Sequence, residues 1–388
     1  TAAVTGWHRR LDGAGAGAVQ WQPTPRKRFL AVPRSSSETV PTYAALTATR
    51  RWTPVSQRRR PTIHEVAKVA GVSISSVSRA LNGNTSNADM VDRVNAAVRE
   101  VGYVPSVVAQ SLKTRHTGQV AFAMEDIGNA AYLEMVRRIQ PTLRDEGYRL
   151  LLHSTGADVE DELGVLASLS QNYVDGLILC PLRVTDRHVE ALRQTAVPVV
   201  VIGLLPDDVP VDNVRADSRV GARLAVEHLA EAGARRIAFI DGPLDTVPGQ
   251  ARYDGYRSGL AAAGLEPDDA IVRFTDFQFE AGRQTARELL TAHPDVDAVL
   301  GANDLIAMGV LHALRELGRD VPGDVRVVGM DDTPLAATSF PPLSSVSLGS
   351  ADRGRIAAEL LLRRLDGDDA PPERVTVPPS LTVRESSR

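Results

Sequence analysis

Cysteine is nearly absent: Cys180 is the single one in 388 residues. That excludes an intramolecular disulfide framework and favours a reducing compartment. Cys180 ends the apolar run Leu177-Ile178-Leu179, so it reads as a small buried residue rather than a nucleophile. Aromatic residues make up only 4%, and Trp7, Trp21 and Trp52 all lie near the start, so no tryptophan serves a later core or stacking site. Lysine occurs only as Lys27, Lys68 and Lys113, which leaves arginine to carry the positive charge. No apolar run approaches the roughly 18 residues of a membrane helix. The start lacks a charged segment followed by an apolar stretch of about 7–15 residues, the mark of a secretory signal. A cytoplasmic protein is the expectation. Metal-ligand clusters, a nucleophile elbow and a phosphate loop are also missing, so no metal, cofactor or catalytic residue is expected.

What is present is an uneven distribution of charge. The net charge of −4 conceals a basic first part, with 17 Lys and Arg against 6 Asp and Glu in residues 1–117, and an acidic remainder. Such asymmetry points to a polyanion-binding module joined to an acidic body, with a solvated basic tail as the alternative. Most of the excess sits in residues 1–60, which hold 11 basic and 2 acidic residues. That stretch is rich in Ala, Gly, Pro, Ser, Thr and Arg without a sustained period, and reads as a disordered basic extension. Its triplets Arg26-Lys27-Arg28 and Arg58-Arg59-Arg60 could add non-specific phosphate contacts.

From Pro61 the local signals become dense. Thr62 with Glu65 forms a capping box ahead of a short helix carrying Ile63, Val66, Ala67 and Ala70 at helical spacing. Gly71 supplies a permissive turn, and Ser73 caps a second helix, with Val72 and Val77 as its hydrophobic staple. A third helix spans about 88–101, with an apolar stripe at Val91, Val94, Ala97, Val98 and Val101. Two short helices, a glycine turn and a supporting helix make a helix-turn-helix, whose second helix enters the major groove.

The run Thr62-Ile63-His64-Glu65-Val66-Ala67 through Ala70-Gly71-Val72-Ser73-Ile74-Ser75-Ser76-Val77-Ser78-Arg79-Ala80-Leu81-Asn82-Gly83 resembles the LacI/GalR family of bacterial transcription regulators. The likeness extends from about residue 61 to 386. The resemblance implies that Ile74 and Ser75 vary operator choice and that Arg79 donates to a guanine edge. Thr62, Ser73, Ser76, Ser78 and Asn82 complete the DNA-binding set through caps and phosphates. Met90 stands where the family usually has Thr. The segment 104–112 looks like the family's hinge helix, which is too short to be stable alone. In the family it pairs with its dimer mate in the minor groove. The resemblance then makes Leu112 a wedge between base pairs and Ala109 a close helix contact. Gln110 replaces a common Arg.

From Gly118 the pattern alternates strand and helix, with apolar runs at 120–124, 150–152, 177–180, 197–202, 237–240, 298–300 and 325–328. This is the signature of parallel α/β sheets, and the length suits two of them. The resemblance implies an α/β chain with a helix-turn-helix head and a two-lobed, type I periplasmic-binding-protein-like effector domain. The expected divisions are 1–60 extension, 61–103 head, 104–117 hinge and linker, and 118–388 effector-binding and dimerisation domain. Lobe one takes about 118–232 and 348–375, and lobe two 233–347 and 376–388, with crossings near 233, 347 and 376.

Ligands of open α/β sheets sit beyond the carboxyl ends of strands. By the family match, Asn303 and Asp331 hydrogen-bond an effector, Arg252 donates to it, Asp217 accepts from it, and Phe277 stacks on it. Asn129 and Tyr132 belong to a segment like the family's D-I-x-N-P-aromatic-aromatic, in which Ala130 and Ala131 replace Pro and the first aromatic. Asp304 and Asp332 read as helix caps rather than ligand contacts, and Phe277 has core as its alternative reading. Because Phe274, Phe277 and Phe279 do not fit one strand face, one of them should point into a cleft. Carboxylates, Arg and Asn around an aromatic suit a polyhydroxylated ligand, a sugar before a nucleobase or other metabolite. The expectation is a homodimeric, sugar-responsive regulator, usually a repressor, on a palindromic operator. No heptad tail for tetramers follows the segment Ser380-Leu381-Thr382-Val383-Arg384-Glu385. A solute-binding protein without a DNA role is the alternative, and an enzyme has no support.

Overall fold

The computed structural model describes residues 7–8, 22–23, 61–104 and 116–388. Most of the basic extension, both of its triplets, and Ala109, Gln110 and Leu112 lie outside the described residues. By its contacts the chain divides into residues 1–62 and 63–388. In the first unit, Trp7–His8 pairs antiparallel with Gln22–Pro23.

The second unit begins with α1 (Ile63–Ala70), α2 (Ile74–Leu81) and α3 (Ala88–Val101). Gly71 between the first two adopts φ +65°, and Gly102 ends α3 at φ +67°, a region where a side chain is strained. Val66, Ala67 and Ala70 of α1, Val77 and Ala80 of α2, and Val94 and Ala97 of α3 form one small core. Val72 and Val91 pack at its edge, where the staple and the stripe put them.

The remainder alternates strand and helix around two six-stranded sheets. In chain order these elements are β1 (Gln119–Met124), α4 (Ala130–Asp145), β2 (Arg149–Ser154), α5 (Val159–Ser168), β3 (Gly176–Cys180), α6 (Asp186–Gln194), β4 (Val199–Ile202) and β5 (Asp212–Ala216). They continue with α7 (Ser218–Glu231), β6 (Ile237–Asp241), α8 (Val247–Ala262), β7 (Val272–Phe274), α9 (Phe279–Ala292), β8 (Ala298–Gly301) and α10 (Asp304–Glu316). The chain closes with β9 (Arg326–Met330), α11 (Pro334–Thr338), β10 (Ser344–Ser347), α12 (Ser350–Leu365), β11 (Arg374–Val377) and β12 (Ser380–Thr382). The first sheet has the order β11-β5-β4-β3-β1-β2 and is parallel throughout. The second runs β12-β10-β9-β8-β6-β7, parallel except for the antiparallel edge strand β12. Central strands such as β3 and β6 are buried on both faces, which is why they read as unbroken apolar runs.

One lobe boundary differs from expectation. Helix α7 packs on α8 and on the second sheet, so the first crossing falls between Ala216 and Ser218 rather than near 233. The reason lies in small residues: Gly255 of α8 sits against the Arg219 carbonyl, where a Cβ would come within 2.2 Å. An apolar helical stripe shows which face is buried but not which sheet buries it. The later crossings come between β10 and α12, and between β11 and β12, because α12 packs on α4 and the first sheet. Among the described residues, no helix is long and apolar enough to cross a membrane.

Candidate effector cleft and nucleic-acid interface

In the head, the start of α2 is organised by hydroxyls. Ser73 Oγ accepts the Ser76 N–H at 3.1 Å and lies 2.8 Å from Ser75 Oγ and 2.9 Å from Ser76 Oγ. Arg79 Nη2 donates to Ser76 Oγ, and Asn82 Nδ2 to Ser78 Oγ, each at 3.4 Å. Ile74, Ser75 and Arg79 are exposed, while Val77 and Ala80 face the core. One side of α2 therefore presents an apolar group, a hydroxyl and a guanidinium together, the set that reads base edges in a major groove. Thr62 immediately precedes α1.

The two-sheet part of the chain contains a cleft of about 780 Å³. Its walls come from the carboxyl ends of strands in both sheets: Glu125 after β1, Cys180 in β3, Ile202 in β4, Asp217 after β5, Asn303 after β8 and Asp331 after β9. That is where open α/β sheets place ligands. All seven residues singled out for the effector, namely Asn129, Tyr132, Asp217, Arg252, Phe277, Asn303 and Asp331, line this one cleft.

Several of them also hold the walls in place. Asn129 caps α4 by accepting the Ala131 N–H at 3.0 Å, and Asp217 caps α7 by accepting the Val220 N–H at 2.9 Å. Asn303 caps α10 through its Oδ1, with the Ile306 N–H at 2.8 Å. Arg252 projects from α8, its Nη2 3.9 Å from Asp331 Oδ1 and its guanidinium carbon 5.4 Å from the centre of the Phe277 ring. Phe277 is the phenylalanine of the cleft. Phe274 is exposed at the edge of Tyr253, and Phe279 meets His312. The lobes also meet directly, since Arg183 pairs with Asp245 through bonds of 2.8 and 3.0 Å.

Asp304 and Asp332 do not cap helices. Asp304 Oδ2 accepts the Thr333 N–H at 2.7 Å and the Thr333 hydroxyl at 2.8 Å, and its Oδ1 accepts Ser345 Oγ at 2.5 Å. Asp332 accepts from Thr382 Oγ1 at 2.9 Å and from Arg384 Nη2 at 2.6 Å. Both carboxylates tie the loop after β9 to β10 and the chain end.

Burial dominates the electrostatics. It pushes the Asp241 carboxyl, at the end of β6, up to about 8 against the pull of Arg252. Burial and the adjacent Asp126 push Glu125 up to about 7, although the Tyr132 hydroxyl donates to it. The Cys180 thiol is buried and pushed up to about 12, which keeps it protonated and unreactive. Burial also raises Asp331 and Asp304, which repel one another. Sequence reasoning missed Glu125 and Arg353, which both line the cleft. Arg353 begins an amphipathic helix, where arginine ordinarily reads as solvated, yet it is buried.

The model of the lacI family of bacterial regulatory proteins matches residues 62–106, and that of the periplasmic binding protein-like domain matches residues 226–387. The HTH-type transcriptional regulator CelR of Thermobifida fusca is 39% identical over 342 residues, covering 86% of this chain and all of the relative. The ribose operon repressor of Escherichia coli (strain K12) is 34% identical over 328 residues, covering 84% and 99%. The solved complex of CelR with cellobiose superposes with a TM-score of 0.64 at 36% identity, covering 84% of this chain and all of that one. The lac repressor dimer bound to operator and the anti-inducer ONPF gives 0.75 at 28% identity, covering 85% and 99%. The chain belongs to the lacI family of bacterial transcription regulators.

Proposed function

We propose that this protein is a homodimeric, cytoplasmic transcriptional repressor of the lacI family that releases or grips a palindromic operator in response to a sugar. Ile74, Ser75 and Arg79 read bases, and Thr62, Ser73, Ser76, Ser78 and Asn82 cap helices and hold phosphates. Ala109 and Leu112, which lie outside the described residues, form the paired hinge in the minor groove. The sugar occupies the cleft, with Asn129, Tyr132, Asp217, Arg252, Asn303 and Asp331 as its polar partners and Phe277 as its stacking face. One observation carries this reading: seven residues scattered from 129 to 331 line a single cleft at the strand ends of both sheets. That a relative is solved with cellobiose, and another is named for the ribose operon, supports a sugar here. A ligand held by both lobes has differential affinity for their relative orientations, which is what a two-state regulator needs.

The test is to select bound sequences from random duplex DNA with the full chain, then titrate the winner with mono- and disaccharides. A palindromic winner, and a sugar that changes its affinity by about 10-fold or more, are the expected results. Arg252→Ala should keep operator binding and lose the response. Leu112→Ala should weaken the operator complex far more than binding to random DNA. A protein with no sequence preference, or one deaf to every sugar tried, overturns the reading.

A further inference from the structure

We infer that the cleft takes a sugar carrying an acid group, a carboxylate or a phosphate, and that Arg353 is the residue that selects it. This rests on the sugar reading above and narrows it. Arg353 stands in the first turn of α12, where Gly354 lets the helix approach α4 so closely that a Cβ would come within 2.7 Å of the Met135 carbonyl. Its side chain is 9% exposed and lines the cleft. The guanidinium donates from Nη2 to Ser350 Oγ at 3.1 Å, and its buried Nε has no partner. It makes no ion pair among the described residues.

The same helix carries a half-buried arginine that is fully paired. Arg364 grips Asp212 through Nε at 2.7 Å and Nη2 at 2.9 Å, a fork-to-fork pair. A buried cation without such a partner is costly, because desolvation is not repaid. Arg353 carries that cost on the wall of a cleft large enough for a sugar.

Charge inside the cleft points the same way. Arg353 lies within the electrostatic reach of Arg252 and Asp331, and Arg252 already shares Asp331 at 3.9 Å. Glu125 titrates near neutral pH, so it is a weak counter-ion there. Arg252 has the carboxyls of Asp331, Asp241 and Glu125 within its reach, while Arg353 has Asp331 and the like charge of Arg252. A neutral sugar offers only hydroxyls to Arg353, whereas a carboxylate or phosphate offers paired oxygens and the missing charge. Arg353 comes from the lobe of the first sheet and Arg252 from that of the second, so an acid group that engages both would also hold the lobes together.

Isothermal titration of the full chain tests this with matched probes: cellobiose against cellobionate, and glucose against glucuronate and glucose 6-phosphate. An acid member should bind at least about 10-fold more tightly than its neutral parent. The glucuronate and phosphate arms tell which acid is preferred. Arg353→Met should erase the preference and keep or raise the melting temperature, since no native ion pair is lost. Arg353→Lys, which retains the charge, should keep a reduced preference, and it stands in if the methionine variant misfolds. A neutral parent that binds as tightly as its acid, or a preference that survives Arg353→Met, overturns the inference while the sugar reading stands. If no sugar of either class binds, the sugar reading falls and takes this inference with it.

Discussion

Asn303 Nδ2 donates to the backbone carbonyl of Phe277 at 3.0 Å, while Oδ1 of the same amide accepts the Ile306 N–H at 2.8 Å. One side chain thus joins the start of α10 to the loop that carries the Phe277 ring. Its remaining N–H is free to meet a ligand. Asn303→Asp keeps the capping oxygen but sets a carboxylate oxygen against the Phe277 carbonyl. The expected outcome is a loss of about 1–3 kcal/mol in stability and at least a 10-fold loss of effector affinity, with operator binding kept. Calorimetry and fluorescence anisotropy on the same preparation check both. Unchanged effector affinity would show that the Phe277 loop does not depend on Asn303.

Gly242 is the second support of that ring. A Cβ there would lie 2.0 Å from Phe277 Cζ, well inside contact distance. Gly242→Ala must therefore displace the ring from beneath Arg252. The predicted cost is about 1–3 kcal/mol, as for other overpacked sites, together with a weakened effector response. In a Phe277→Ala background the same Gly242→Ala change should cost little, because the ring it clashes with is gone. If Gly242→Ala costs as much there as in the native chain, the clash is not the cause.

In the head, capping and reading separate by residue. Ser73→Ala removes the acceptor of the Ser76 N–H and should destabilise the head by about 1 kcal/mol. Arg79→Ala touches only an exposed side chain with one long hydrogen bond, so the melting temperature should hold. Its effect belongs in DNA selection: about 1–3 kcal/mol of discrimination lost at one base position, with binding to random duplex nearly unchanged. A uniform loss across all sequences would make Arg79 a phosphate contact instead.

Local features were legible in the sequence because local chemistry decides them. Ser73 as a cap, Gly71 as a left-handed turn, and the apolar runs of β1, β3, β4, β6, β8 and β9 each need only near neighbours. β10 was not legible. Ser344 and Ser345 are fully buried in a strand without an apolar run, since Ser386 Oγ accepts the Ser344 N–H at 2.8 Å, Ser387 Oγ donates to Ser344 Oγ at 2.7 Å, and Asp304 takes Ser345 Oγ. Those partners lie some forty residues away, and no window of sequence contains them. Arg353 is the same case in the cleft: its burial depends on α4, Gly354 and the second lobe. The lobe assignment of α7 failed likewise, because steric fit with Gly255 leaves no mark on periodicity. The family motifs compensated for this at the cleft, because they carry tertiary information that composition and spacing lack.

The buried carboxyls make stability depend on pH in a defined direction. Asp241 has its pKa raised to about 8 in the folded chain from an ordinary 3.8, because it is buried with only the Gly242 N–H, at 2.7 Å, on Oδ1. Between those values the folded state holds a proton that the unfolded state releases. Stability therefore falls as pH rises through that window, by at most about 1.4 kcal/mol per pH unit for one proton. Glu125 adds to the same slope up to about pH 7. Asp241→Asn retains a carbonyl oxygen for the Gly242 N–H and cannot ionise. Its melting temperature should exceed that of the native chain at pH 8 and change less between pH 5 and pH 8, as read by thermal unfolding with matched buffers. A slope as steep as the native one would mean that Asp241 is ionised in the folded protein, with its charge met by Arg252.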